Sequence, residues 1–457
     1  MEQRDHLRPS RYGNMLAAVV ISLVLVALWG VSLAAASPAN ATFDVTVSRT
    51  AVATGETFVV SITLTTLDAE PFSAWRVEFL YNDAVLDVAG AWASENVVPP
   101  FLTAGVFTTS EAGAVWLDDS NWNTNNAGSA QPYLLGVITF TAQTVGSSNF
   151  IVRVNTQNPE NDSNYADIVT ASPGVFWIPA TINVEQVTVA DYRWTGAADR
   201  VWSNSTNWYP VSTPGAAHAV VIPGGLSTYP LLDASASVAT LTIAAGGQLE
   251  IPAAYQLTAN SVTNDGRLTL WQDVLNGVQT DFHLYNSTMG VSYYGVEITA
   301  NGAMNATSVL IKGHQDCTTQ GEPGDTANRC YDITPGQAPT DAAIRFYYLA
   351  DELNGLNATQ MAVWHWDTGT MTWTLAGAPT PGGSPPDYYV DVSGIADFSA
   401  FVLKDSSTTS PTAVALRDFL VRGGMEMAVG AIGALGVAAL IPALSYRARG
   451  KRRQTRS

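Results

Sequence analysis

Positive charge is scarce in this chain. Twenty-one Lys and Arg residues stand against 39 Asp and Glu, a formal net charge of −18 over 457 residues. Even these basic residues crowd the ends: Arg4, Arg8 and Arg11 open the chain, and six more follow Tyr446. With Glu2, Asp5 and Glu426 also left aside, the rest carries 12 basic against 36 acidic residues. Such a surface repels phosphate backbones and anionic lipid headgroups, which excludes nucleic acid as a partner. Histidine is scarce too. Beyond His6, the chain has only His218, His283, His314 and His365, with no HExxH or HxH spacing. Each reads as a surface or strand residue. No GxSxG elbow, Walker loop or dinucleotide-binding glycine pattern follows a strand. The sequence therefore predicts no catalytic residues, no resident metal and no enzyme.

Cysteine is limited to Cys317 and Cys330. They lack the CxxC spacing of redox pairs, and two thiols alone do not make a zinc site. In an exported protein they are expected to form a disulfide. Closing a loop of that size is worth about 3 kcal/mol in the chain-entropy model. Carboxylates are plentiful but carry no motif. Asp118-Asp119 and Asp351-Glu352 are the nearest pairs. Asp119-Ser-Asn121-Trp-Asn123-Thr-Asn125 imitates the start of a calcium loop, yet Thr124 and Ala130 stand where an EF-hand needs Gly and Glu. Asp162 and Asp167 are a looser pair. Calcium is thus unsupported, and no cofactor is expected. Six N-x-[ST] triplets, at Asn40, Asn161, Asn204, Asn286, Asn305 and Asn357, read as chance in a chain whose ends look bacterial.

What the sequence does have is apolar residues, 47% of the total, enough for packed cores in two to four domains. Residues 1–41 contain an apolar run, Met15–Ala36, behind three arginines and ahead of small-residue sites at Ala34-Ala35-Ala36 and Ala39-Asn40-Ala41. This reads as a signal peptide, with an uncleaved anchor as the alternative given the run's length. Residues 425–446 read as a transmembrane helix, kinked at Pro442. The basic tail 447–457 places the C-terminus in the cytoplasm. Residues 406–424 read as a linker. The extracytoplasmic part would then stand on a bacterial cell surface.

Residues 42–189 alternate apolar and polar positions in short runs, as in Val77, Phe79 and Tyr81 against Arg76 and Glu78, with turn residues in the gaps. Seven or more such runs indicate a β-sandwich. Thr54-Gly55-Glu56-Thr57-Phe58-Val59-Val60, then Phe79-Leu80-Tyr81-Asn82-Asp83 with Leu86, then Leu135-Gly136-Val137-Ile138-Thr139-Phe140 with Gly146, occur in an order that resembles the cohesin family. The resemblance implies a jelly-roll-like sandwich, related to cellulose-binding modules, that binds dockerins through one sheet face. It covers about a third of the chain. "YN" stands where the family has "YD", although Asp83 follows, and the Asn-rich loop 118–133 is unusual; no partner-contacting residue carries over, because those positions have no local motif here.

Residues 190–312 change character. VATLTIAAGGQLEI and SVTNDGRLTL overlay at a shift of nineteen, placing Leu249 over Leu268 and Ile251 over Leu270. A period near twenty predicts a short β-solenoid, which needs a cap. The preceding stretch holds Trp194, Trp202 and Trp208 in a pattern that resembles the lead-in of bacterial surface solenoids. Buried, they would form that cap; exposed, they would be a sugar platform. Residues 313–405 resemble a terminal β-module of surface proteins, with a hairpin turning at Asp367-Thr368-Gly369.

The sequence thus predicts an all-β chain: sandwich, solenoid and small sandwich between two apolar helices. Its function is non-catalytic surface binding. The cohesin-like module would dock a dockerin-like or other surface protein. Alternatively it would bind polysaccharide, in connection with polysaccharide breakdown, through Trp122, Trp116 and Trp92. Passive cell-envelope structure is the third reading.

Overall fold

The computed structural model describes residues 41–66, 72–93, 113–119, 132–153, 167–170, 176–177, 181–183, 185–288, 290–315 and 326–406. Among them every regular element is a strand or a three-residue 3₁₀ turn. The two predicted apolar helices, the linker and the tail lie outside the described residues. No helix among the described residues is long and apolar enough to cross a membrane. The chain divides into two compact units. One comprises residues 55–187 and the chain up to Thr50; the other comprises residues 51–54 and everything from Thr188.

The first unit is a sandwich. One sheet orders Thr181–Asn183, Ala41–Val47, Thr57–Thr66, Tyr133–Ala142 and Leu86–Ala93; the other orders Phe176–Trp177, Asp167–Thr170, Phe72–Leu80 and Ala114–Asp119. Period-two alternation sends Phe58, Val60, Ile62 and Leu64 inward. There Phe58 and Phe140 stack at 5.7 Å, and Phe79 of the opposite sheet lies 6.2 Å from Phe140. Phe150 completes this aromatic centre, 5.1 Å from Phe79. Asn82, the departure from the cohesin pattern, makes its own corner. Its Oδ1 accepts from Ala84 N–H at 3.2 Å and its Nδ2 donates to the Ser147 carbonyl at 3.1 Å.

Most strands of the second unit lie in two sheets around one large core. Among the described residues the larger runs Trp208–Tyr209, Tyr192–Trp194, Ala219–Ile222, Ala236–Ile243, Leu257–Asn264, Gln279–Tyr285, Val291–Asn301, Asp341–Leu349, Asp387–Ile395 and Thr380–Ser384. The smaller runs Gln248–Ile251, Arg267–Val274, Asn305–Gly313, Arg329–Thr334, Ala400–Asp405, Met361–Asp367 and Thr372–Leu375. The overlay at a shift of nineteen is a real parallel ladder: Leu249 pairs Leu268 and Ile251 pairs Leu270. Across the core, Leu241 pairs Val262 in a second parallel ladder.

The parallel stacking expected of a short β-solenoid over 190–312 covers only part of that span. Parallel stacking ends near Val274. Gln279–Tyr285 then pairs antiparallel with Val291–Asn301, and Arg267–Val274 with Asn305–Gly313. Nor do residues 313–405 make a separate sandwich. Asp341–Leu349 joins Val291–Asn301, and Arg329–Thr334 joins Asn305–Gly313. The reason is the unfinished edge: strands burying Ile298, Val309 and Ile311 need neighbours for their backbone groups, and the later strands supply them. Phe346, Val363 and Phe401 accordingly enter the same core as Leu249 and Leu268. The predicted hairpin is present, with Trp366 opposite Trp373 and Asp367 Oδ1 accepting from Gly369 N–H at 2.8 Å.

Candidate functional site

Trp194, Trp202 and Trp208 are buried to 1% exposure or less. Trp194 and Trp208 are cross-strand partners, and their rings meet edge to face at 5.0 Å. Trp202 meets Trp208 the same way at 4.7 Å. Two indole N–H groups find carbonyls: Trp194 donates to Thr228 at 2.9 Å and Trp208 to Trp202 at 2.8 Å. Gly196, at φ +60°, must lack a Cβ because one would sit 2.4 Å from that Thr228 oxygen. Buried Asn207 closes the loop, donating to Asp199 Oδ1 at 2.6 Å and accepting from the N–H groups of Ala198 and Asp199. This is a packed cap. The sugar-platform reading of these three residues is corrected, since no ring face is left for a ligand.

The other sequence-selected residues are dispersed. Trp122 lies outside the described residues, as do Cys317, Asp162 and residues 120–131 of the polar loop. Trp116 stands in the strand Ala114–Asp119 and Trp92 in Leu86–Ala93. Cys330 is buried in Arg329–Thr334, and no cysteine among the described residues is free. Asp351 and Glu352 are adjacent in sequence but part company. Asp351 stays exposed and meets His314 at 3.3 Å, whereas Glu352 is wholly buried against Arg329 at 2.7 Å.

The strongest gathering of chemical groups is one that sequence spacing does not reveal. It lies on the outer face of the larger sheet of the second unit. Five strands align one polar row: Asp281 opposite Glu297, Glu297 opposite Arg345, Arg345 opposite Asp391, and Asp391 opposite Thr380. Arg345 holds Asp391 in a fork, Nε to Oδ1 at 2.7 Å and a terminal nitrogen to Oδ2 at 2.9 Å. Its guanidinium lies 4.0 Å over the Tyr389 ring. Tyr347 donates to Glu297 Oε1 at 2.7 Å. Burial pushes the Tyr347 phenol up to about 12, so it remains a donor. Beside this row, over the small side chain of Ala343, is a hollow of about 320 Å³ walled by Glu297, Arg345, Thr380 and Asp391.

Asp281, His283 and Glu297 bring three potential metal-ligand atoms within 4.8 Å of one another. Histidine chemistry argues against a metal there. His283 Nδ1 accepts the Gly295 backbone N–H at 3.1 Å, which leaves the proton of the neutral ring on Nε2. That nitrogen faces Glu297 Oε1 at 3.4 Å as a donor and has no lone pair for an ion. Glu297 is held by Tyr347 and His283, and Asp391 by Arg345. None of these groups is left to exchange a proton with a substrate.

The remaining histidines sit on strands or turns, as expected of each alone. His218 Nδ1 accepts from Gly215 N–H at 2.9 Å, and His365 lies 3.2 Å from the Thr374 hydroxyl. His314 differs, lying 3.0 Å from Asp265 and 3.3 Å from Asp351. These partners are 49 and 37 positions away, so no local motif announces them.

Comparison with known proteins places little of the chain. A family model described as a domain of unknown function (DUF8693) matches residues 193–290. No curated protein matches. Among solved structures, the chain is similar to a type I cohesin of Pseudobacteroides cellulosolvens, at 12% identity, 33% of this chain, 93% of that chain and a TM-score of 0.27. A cohesin module from a Clostridium perfringens family 33 glycoside hydrolase is similar at 10% identity, 33% and 96% coverage and a TM-score of 0.25. A type II cohesin from the Acetivibrio cellulolyticus cellulosome is similar at 15% identity, 32% and 95% coverage and a TM-score of 0.26.

Proposed function

We propose that this chain is a non-catalytic binding protein of a bacterial cell surface, in which residues 42–189 dock a dockerin-like or other surface protein. The observation that supports docking is the outer face of the five-stranded sheet. Ser61, Thr63, Val137, Thr139 and Thr141 point away from the core and are half-buried, and they align across two strands, Val59 with Thr139 and Ser61 with Val137. A flat face of short side chains costs little entropy to cover and suits a partner's surface. The order of cohesin-like motifs supports the same reading. The predicted helix at 425–446 would anchor the protein, and the second unit would carry the docking module.

The test is capture. Full-length protein, immobilised through its C-terminus in a sugar-free detergent, is exposed to the organism's secreted proteins and wall polysaccharides. One enriched protein, lost on denaturing the bait and lost with Thr139→Lys at unchanged melting temperature, is the expected result. Retained glycan without protein would favour the polysaccharide alternative. That alternative rests on Trp122, Trp116 and Trp92, and predicts that Trp122→Ala weakens glycan retention without lowering the melting temperature. An unfolded Trp122→Ala protein would make that residue core and remove the alternative's main support. Retention of nothing would leave a passive envelope role.

A further inference from the structure

The parallel ladder of the second unit fails at one place. Ala236–Ile243 and Leu257–Asn264 pair at seven positions. Leu257–Asn264 and the next parallel neighbour, Gln279–Tyr285, pair at one, Thr258 with Tyr285. The ladder on the other side of Gln279–Tyr285 is irregular too, shifting register on either side of Leu284. This is where the sheet turns from parallel to antiparallel, and a cleft of about 340 Å³ opens there. Such switch points and bulges are favoured places for ligands.

The lining has a definite chemistry. It offers the rings of Tyr255, Trp271 and Tyr285, the amides of Gln256 and Gln272, and the hydroxyl of Ser235. Its floor is leucine. No carboxylate, lysine or arginine lines it. The one titratable nitrogen-bearing ring, His283, is already held by Gly295 and Glu297. The Trp271 N–H is taken by Glu250 at 3.0 Å, which fixes the ring. The amides of Gln256 and Gln272 make no side-chain hydrogen bond among the described residues and are free to serve a ligand. Tyr255 is more than a third exposed at the mouth. Around the lining Glu250 is paired with Arg200 at 2.7 Å and Glu297 lies 3.8 Å from Arg345, while Asp281 has no ion pair among the described residues, so the surroundings are balanced to acidic and do not draw anions. A partner must therefore be uncharged, rich in hydroxyls for the amides, and flat enough on one side to lie on a ring. A pyranose meets all three demands.

We propose that this cleft holds a neutral sugar unit of a glycan. The site is in the other unit from the docking face, so either assignment stands or falls without the other. The experiment uses full-length protein in a sugar-free detergent. Cellohexaose, xylohexaose, mannohexaose and chitohexaose are titrated by calorimetry and saturation-transfer NMR, with hexagalacturonic acid as the charged control. At least one neutral oligosaccharide binds, and Tyr255→Ala and Gln272→Ala each weaken it about tenfold at unchanged melting temperature. The charged control does not bind. Failure of all four neutral probes overturns the assignment. So does binding that both variants leave intact, or preference for hexagalacturonic acid.

Discussion

His314 shows how one residue turns its surroundings into a pH dependence. It follows the strand Asn305–Gly313 with φ at +48°, and its ring lies between Asp265 at 3.0 Å and Asp351 at 3.3 Å. The Asp265 carboxylate, then the charges of Glu352 and Asp351, outweigh burial and raise the imidazolium to about 9. In the unfolded chain the group titrates near 6.5. The folded protein therefore binds this proton more tightly, and the gain is complete below about pH 6.5 and lost as pH rises toward 9. The site is partly open to solvent, which screens the pair and leaves a contribution of about 1 kcal/mol. Melting curves from pH 6 to 10 are expected to fall more steeply for the native protein than for His314→Asn, whose side chain tolerates the same backbone angle. Parallel curves for the two proteins would rule the pairing out.

At the scale of elements, a buried ion pair fixes the 3₁₀ turn Ala350–Glu352 to the strand Arg329–Thr334. Glu352 meets Arg329 at 2.7 Å and accepts the backbone N–H groups of Leu349 at 2.8 Å and His314 at 3.3 Å. Arg329 donates to the carbonyls of Tyr294 and Tyr347 and lies 4.7 Å over the Tyr293 ring. Both side chains are buried, so removing one charge strands the other. Glu352→Gln is expected to cost about 3–5 kcal/mol in urea unfolding, and Arg329→Met with Glu352→Leu together to recover much of that. A loss under about 1 kcal/mol for the single variant would show that the charge is not isolated. The sequence showed neither of these two elements, and of the strands it did show it left open how they meet. Strands were legible at 343–348, 361–366, 388–394 and 398–404, within a few residues of where they form, and the 249-on-268 register from side-chain repetition. The polar row Glu297–Arg345–Asp391 was not, because antiparallel pairing joins residues 46 and 48 positions apart without any local pattern. Three N-x-T triplets illustrate the converse. Asn204, Asn286 and Asn357 each use Oδ1 to accept the N–H and hydroxyl of the threonine two residues on. What reads as chance in sequence is one turn device used three times.

At the scale of the whole molecule, chain order and fold order differ in one short stretch. Residues 51–54 lie inside the first unit's sequence but belong to the second. Ala51, Val52 and Ala53 pair parallel with Thr188, Val189 and Ala190. Thr54 N–H donates to the Ala190 carbonyl at 2.9 Å, and Ala51 packs with Ala190, Ala219 and Val221. All three strand residues are essentially without solvent contact. A sequence reading that cuts at 189 or 190 severs this strand from its sheet. A fragment beginning at Thr188 would expose the Thr188–Ala190 edge and the apolar side chains beneath it. Burial of one valine and two alanines is worth about 2 kcal/mol, so the fragment is expected to melt several degrees below the same unit in the full chain. Tryptophan fluorescence follows the transition, since Trp194, Trp202 and Trp208 report on the cap in both proteins. A fragment as stable as the full chain would mean that the inserted strand contributes nothing. A lower melting point restored by extending the fragment back through residue 42 would show that the two units are not separable in sequence.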